Sequence, residues 1–253
     1  MLPQHAPSAA ARFRSSSYVP EYLRRLVQYP QMDIEYTFWQ MFYLCVDPGR
    51  VYRTTSWRKQ TKNQWARDDP AFVGILILFQ AVAALSFAVA FRAPSLTVIL
   101  KIMFWTTIVE FLGLGVLIAT INWFISNRYL RAPHGVHSVE QKVEWLYAYD
   151  IHCNSFFPLF VLLYVVQFFC MPVFLLPGFI PAFLSNTLFA FAFAIYFRLT
   201  FMGYNVLPFL QNTVYFLWPI LLVVLGYVLA IVSGFNASIF VANYYFGGVH
   251  TSF

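Results

Sequence analysis

The chain has 253 residues, of which 60% are hydrophobic and 10% charged, against about 45–50% apolar and about 25% charged residues in soluble domains. Its net charge of +6 is unevenly spread: ten of the sixteen Lys and Arg precede Ala71, and from Ile151 onward the sole formally charged side chain is Arg198. Such a C-terminal stretch has no charged surface to show water, which excludes a soluble fold and predicts an all-α, polytopic membrane protein.

Residues 1–20 are small, polar and basic and lack an apolar run, so they read as a flexible tail and not as a secretory signal. Residues 21–69 form an amphipathic and basic region expected in the cytosol. Between Gln31 and Val46, the residues Met32, Tyr36, Trp39, Phe42, Tyr43 and Val46 recur at three- and four-residue spacing. That pattern predicts a helix whose aromatic stripe docks on the cytosolic end of the bundle, with its edge at headgroup level. After the Asp47-Pro48-Gly49 turn, Arg50, Arg53, Arg58, Lys59, Lys62 and Arg67 precede the first span. A cluster of this kind attracts anionic lipid by ~1 kcal/mol per residue near the surface. Interleaved with Trp57 and Trp65 it could also grip nucleic-acid phosphates and bases. No nucleic-acid fold motif accompanies it, so nucleic acid is not an expected partner.

Five segments reach the ~20 apolar residues a transmembrane helix needs: residues 70–91, 96–125, 156–176, 181–203 and 215–234. Asp69 followed by Pro70 supplies an N-cap oxygen and a proline in the first turn, where its missing N–H costs nothing. Ser138 and Gln141 have capping-box spacing and predict a short cytosolic helix over 138–152 before the third span. Arg128, Arg131 and Lys142 share the loop between spans two and three, which puts that loop on the cytosolic side with the N-terminus. Five crossings then leave 236–253 as a luminal tail, with the sequon Asn236-Ala237-Ser238 close to the membrane edge. Cys45, Cys153 and Cys170 offer no disulfide framework, and the histidines have no ligand spacing, so neither a metal nor another cofactor is expected.

Ionisable residues at membrane depth are functional candidates by default. Glu110 and Arg198 lie about fourteen and about seventeen residues from the luminal ends of spans two and four, an axial offset of ~4–5 Å at 1.5 Å per residue. They are expected to pair as a register lock if the two helices are neighbours. Lys101, about five residues in and on the opposite face from Glu110, can snorkel to the headgroups. Around the base of span three, Tyr147, Asp150, His152 and Asn154 could line a cytosolic pocket. Residues two apart on a helix do not face each other, so the Asp150–His152 pair suits capping and hydrogen bonding better than acid–base chemistry. Together with Trp39 and Trp145, these residues are expected to form a cytosolic cap.

The string Trp57-Arg58-Lys59-Gln60-Thr61-Lys62-Asn63-Gln64-Trp65-Ala66-Arg67-Asp68-Asp69-Pro70-Ala71-Phe72 resembles the hallmark of the uncoordinated-50 family of Golgi multispanning proteins. Further similar stretches are Tyr22-Leu23-Arg24-Arg25-Leu26, Trp123-Phe124-Ile125-Ser126-Asn127, Tyr147-Ala148-Tyr149-Asp150-Ile151-His152 and Leu207-Pro208-Phe209-Leu210. The resemblance implies five transmembrane helices, a cytosolic N-terminus and residence in Golgi and early secretory membranes, with no established enzymatic activity. It further implies recruitment of a large Arf guanine-nucleotide exchange factor and transport of selected membrane cargo, including receptors. The family supplies no catalytic residues to carry over. The expected contact set for the exchange factor and for lipid is Trp57, Arg58, Lys59, Lys62, Trp65 and Arg67. The alternative reading is a small transporter or lipid-handling protein built on Glu110 and Arg198.

Overall fold

The computed structural model describes residues 33–67, 69–133 and 141–247, and in them eight helices follow one another. We label them α1 (Ile34–Val46), α2 (Pro48–Lys62), α3 (Ala71–Ala90), α4 (Leu96–Tyr129), α5 (Trp145–Phe174), α6 (Phe179–Asn205), α7 (Thr213–Ser233) and α8 (Ala237–Phe246). Helices α3 to α7 are each long and apolar enough to cross a bilayer. The chain is a multi-pass membrane protein. The expectations for residues 1–20, 22–26, Met32, Asp68 and Ser138 fall outside the described residues.

The bundle is organised around α5. Every residue from Tyr147 to Phe160 is buried, with α1, α3, α4 and α6 packed around this stretch. A helix buried on all sides has no solvent face on which to place polar groups, so Asp150, His152, Asn154 and Ser155 must find partners inside the protein. Close approach of α5 to its neighbours depends on two glycines. A Cβ on Gly115 of α4 would stand 2.6 Å from His152 Nε2, and one on Gly203 of α6 would stand 2.8 Å from Ile151 Cγ1. Small residues at helix crossings are how membrane bundles gain contact area where lipid already satisfies apolar surface.

Two spans contain widened π-helical turns, at Trp105–Gly113 in α4 and at Val161–Val166 in α5. The second follows Pro158, which has no N–H to give the carbonyl of Asn154 and so loosens the regular ladder. In the first, the Trp105 indole N–H donates to Glu110 Oε1 at 3.1 Å across five residues, a spacing that a regular α-helix does not bring face to face.

Three expectations are corrected here. The helix expected over 138–152 is not separate: it begins at Trp145 and runs without a break into the third span. Its polar residues delayed the hydropathy signal. The aromatic stripe of α1 is not the docking face, since the buried positions are Thr37, Gln40, Met41 and Leu44. Arg67 gives Gln40 a polar partner inside the cap and the Asp33 carbonyl takes the Thr37 hydroxyl, so both can be buried, while Phe42 and Val46 stay 62% and 64% exposed. The segment after the fifth span is not merely a tail, because Ala237–Phe246 forms α8 and packs against α5 and α6. Ten residues are too few to cross, so α8 sits at the end of the bundle opposite α1 and α2.

Candidate functional site

The cap at the α1–α2 end is held by two carboxylates of α5. Glu144 accepts the backbone N–H of Trp65 at 3.2 Å and of Ala66 at 3.1 Å. One and a half turns further on, Asp150 accepts the backbone N–H of Arg67 at 2.6 Å through Oδ2, while Oδ1 pairs with the Arg67 guanidinium at 3.3 Å. The guanidinium also reaches Gln40 Oε1 of α1 and the Asp150 carbonyl, both at 3.4 Å, and lies 4.1 Å above the Phe72 ring. The strip from Trp65 to Arg67 is thereby strapped along α5 just before α3 begins. Asp69 completes the join: its carboxylate accepts the N–H of Ala71 at 2.9 Å and of Asp33 at 2.7 Å.

Helix α2 is anchored through Tyr52, whose hydroxyl donates to the Leu199 carbonyl of α6 at 2.9 Å. Burial pushes this phenol well above its ordinary range, so it remains a donor. On the other side of the cap, Asn127 exchanges two hydrogen bonds with the backbone of Val143, and the Trp123 indole donates to the Val143 carbonyl. The Tyr147 hydroxyl donates to the Gly203 carbonyl at 2.7 Å. Leu130 and Gln211, on the loops after α4 and α6, share a 2.7 Å backbone hydrogen bond beside the Arg131–Leu210 bridge.

These bonds divide the expected contact set. Trp65 and Arg67 are 5% and 7% exposed; they belong to the interior of the cap and offer no partner surface, which corrects that expectation. The reason is the pull of two carboxylates, the buried Asp150 and the half-buried Glu144, on the strip that carries them. Arg58 bonds the Trp65 carbonyl at 3.3 Å, and the Lys59 ammonium bonds the Asn63 carbonyl while lying 5.7 Å from the Trp65 ring. Lys62 ends α2 with its side chain outside the described set. Trp57 is 67% exposed. Arg53 and Arg50, one and two turns before it on the same face, also project outward, both within 4 Å of Asp47.

Of the expected cap residues, Asp150 and Tyr147 sit at its centre. Trp145 stacks on Tyr149 and donates to Thr120 Oγ1 at 3.0 Å. Trp39 stays half-buried beside Tyr36 and Tyr43. His152 and Asn154 lie deeper, inside the bundle, with His152 Nδ1 2.8 Å from the Tyr196 hydroxyl and its ring against Phe111. Asp150 and His152 do not face each other, as their two-residue separation requires. Gln40, Tyr52 and Glu144 were not singled out as site residues, since nothing in a linear pattern shows that one glutamate will meet backbone N–H groups about eighty residues away.

The Glu110–Arg198 pair does not form. Helix α5 stands between α4 and α6, and Arg198 is turned outward, two residues and about 200° around the helix from Tyr196, which faces His152. Glu110 instead accepts from the Trp105 indole, from the Tyr164 hydroxyl at 3.4 Å and, in a short contact, from the Tyr245 hydroxyl of α8. Beside it is a cavity of about 280 Å³ whose wall includes Phe87, Tyr164, Phe189, Tyr245 and Phe246. Among the described residues, no cluster of three His, Cys, Asp or Glu has the arrangement to hold a metal ion.

Comparison with known proteins adds a family. A model described as the UNC-50 family matches residues 22–246. The unc-50 homolog of Dictyostelium discoideum is 56% identical over 240 residues, covering 95% of this chain and 91% of the relative. The human unc-50 homolog is 42% identical over 237 residues, covering 93% and 90%, and homolog A of Xenopus laevis is 41% identical over 232 residues, covering 91% and 88%. No solved structure matches the chain.

Proposed function

The chain belongs to the UNC-50 family, and from that membership we propose that it is a non-enzymatic trafficking factor of Golgi and early secretory membranes. In this reading the α1–α2 end faces the cytosol, the C-terminus lies in the lumen, and the protein helps recruit a large Arf guanine-nucleotide exchange factor and supports transport of membrane cargo such as receptors. The observation that supports it is the exposed ridge of Arg50, Arg53 and Trp57 on α2, held rigidly by Tyr52 and by the Arg67–Asp150 lock beneath it.

The ridge suits a peripheral protein that also touches lipid. Trp57 is a large amphipathic anchor, and Arg50 and Arg53 supply charge for acidic side chains or anionic headgroups. Alongside it, Phe38, Phe42 and Val46 form an exposed i, i+4, i+8 stripe on α1. Phe38 approaches Phe79 of α3 with ring centres 6.3 Å apart, which sets this stripe against the hydrocarbon edge. A membrane-fixed site of this kind raises the effective concentration of a soluble partner, so weak protein and lipid contacts combine.

The test measures how much of the exchange factor sits on Golgi membranes in cells lacking this protein, rescued by the native chain or by an Arg50→Ala, Arg53→Ala, Trp57→Ala variant. Rescue by the native chain alone, at equal abundance and location, supports the ridge as the docking face. Equal rescue by both chains removes it, and indifference to either chain removes the recruitment reading. The alternative of a lipid-handling protein loses its Arg198 partner but keeps one observation in its favour, the cavity beside Glu110.

A further inference from the structure

At the end of the bundle opposite the cap, Glu110 sits in a wall that is mostly apolar and aromatic; its other polar side chains, Thr106 and Gln167, already bond the Ile102 carbonyl and Ser238 Oγ. The three hydrogen-bond donors to Glu110, Trp105, Tyr164 and Tyr245, are all neutral. Among the described residues, no Lys, Arg or His forms an ion pair with it: Lys101 and Arg198 are both turned outward. Two other carboxylates show the contrast, since Asp150 of α5 has its arginine and Glu144, at the N-cap of α5, has two backbone N–H groups.

The cavity beside this carboxylate is not a packing accident of one helix. Both π-helical turns border it, one carrying Glu110 and the other carrying Leu163 and Tyr164. Inserted π turns recur at functional sites because they displace side chains from the regular packing register. Helix α8 closes the space with Tyr245 and Phe246, and Phe246 stacks on Phe91 at the end of α3 with ring centres 4.6 Å apart. Gln80, fully buried one turn before the wall residue Ala84, turns its amide toward the Tyr164 hydroxyl.

We propose that this cavity binds an organic ammonium group, seating its charge against Glu110 and its methyl or alkyl groups against the aromatic wall. Three features select that chemistry. One carboxylate among apolar walls can satisfy a single positive charge but not the five N–H donors of a guanidinium. Hard divalent cations take six or more oxygen ligands; this wall has a single carboxylate, and its Thr106 and Gln167 side chains bond Ile102 and Ser238 instead. Aromatic faces attract ammonium groups more strongly when water is excluded, and a volume of about 280 Å³ matches a small head with a short apolar extension. The source can be a lipid headgroup or a soluble amine. The proposal stands on the cavity and does not require the trafficking reading.

The experiment uses the purified full-length chain in nanodiscs of phosphatidylglycerol, titrated calorimetrically with hexyltrimethylammonium and, as neutral comparator, hexanol. The native chain is expected to bind the ammonium compound and to bind hexanol at least about tenfold more weakly, the discrimination of a charge-assisted contact. Glu110→Gln, which keeps the shape and one acceptor, is expected to weaken ammonium binding about tenfold or more. Val241→Phe, which narrows the cavity without touching the carboxylate, is expected to weaken both compounds.

Equal affinity for hexanol on the native chain overturns the proposal without recourse to any variant, as does the absence of binding. Undiminished binding by a folded Glu110→Gln chain overturns it as well. Exchange of the nanodisc lipid for phosphatidylcholine separates the sources. A weaker apparent affinity there shows headgroup competition and supports a lipid ligand. An unchanged one, together with binding of tetramethylammonium, supports a soluble amine.

Discussion

Removing either partner of the Arg67–Asp150 pair is expected to unfold the cap, and the two single variants should differ in a stated order. Both side chains are almost fully excluded from solvent, at 7% and 4%, and stranding one member of a buried ion pair costs about 3–5 kcal/mol. In Asp150→Leu the guanidinium keeps the Gln40 amide, the backbone carbonyl of residue 150 and the Phe72 ring, which places this variant near about 3 kcal/mol. In Arg67→Leu the carboxylate keeps one backbone N–H, that of residue 67 itself, and the Phe72 contact is lost, which places it near about 5 kcal/mol. The double Leu variant removes both charges and should be less destabilised than Arg67→Leu, because no buried charge is left unpaired. Helix content and tryptophan emission, followed through an SDS titration in mixed micelles, give the four corners of the cycle. Single variants within about 1 kcal/mol of the native chain, or a double variant equal to the sum of the singles, would refute the claim that this pair acts as one buried unit.

Other substitutions probe the same architecture. Gly203→Ala puts a methyl group 2.8 Å from Ile151 Cγ1 and is expected to cost about 1–3 kcal/mol by overpacking in the same titration, and to cost less when made in an Ile151→Ala background, which removes that carbon; an equal cost in both backgrounds would count against a direct clash. Glu144→Gln weakens the charge-assisted bonds to Trp65 and Ala66 by about 1.5–3 kcal/mol, and Trp65 emission should shift to the red as the strip loosens. The Asn236 amide donates to the Phe174 carbonyl at 2.8 Å while its oxygen accepts from Ile239 as the N-cap of α8. Asn236→Gln should therefore leave electrophoretic mobility unchanged in secretory membranes, whereas Asn236→Ala should cost about 1 kcal/mol as a lost cap. In native micelles, maleimide should label the exposed Cys45 at least tenfold faster than the buried Cys153.

The number and order of the spans could be read in the chain because hydropathy is a sum over ~20 residues and tolerates local exceptions. The extent of α5 could not, since Tyr147, Asp150, His152 and Asn154 lower the same sum although all are helical and buried. Periodicity found α1 but chose the wrong face. It assumed that aromatic residues point inward, while the cap interior is polar and takes Gln40 to meet Arg67, and Thr37 satisfies its hydroxyl on the Asp33 carbonyl. The Glu110 environment was hidden for a different reason. Its indole partner is five residues away, outside the three- and four-residue spacing of a regular helix, and its phenol partners come from α5 and α8.

The residues that make the chain recognisable and those that are free to meet a partner are largely different sets. Within the string from Trp57 to Phe72, Trp65, Ala66, Arg67 and Asp69 are tied to α5, α1 or α3 by hydrogen bonds or an ion pair, and Arg58 and Lys59 bond the backbone of that same strip. Glu144, Asp150 and Asn127, from the other stretches of the family pattern or beside them, supply the matching acceptors and donors. That is the outcome expected where lipid is as apolar as the helices it surrounds: burial of leucine against leucine no longer distinguishes one helix arrangement from another, and specific polar contacts and close glycine crossings carry the choice. A pattern of Arg, Asp, Asn and Trp in a protein of this kind therefore reports first on which helices meet. Its charged residues become evidence for a partner only after the internal pairs are removed. On α2 that subtraction leaves Trp57, beside Arg50 and Arg53, which share the one carboxylate of Asp47 and still project outward, a set the basic cluster by itself did not single out.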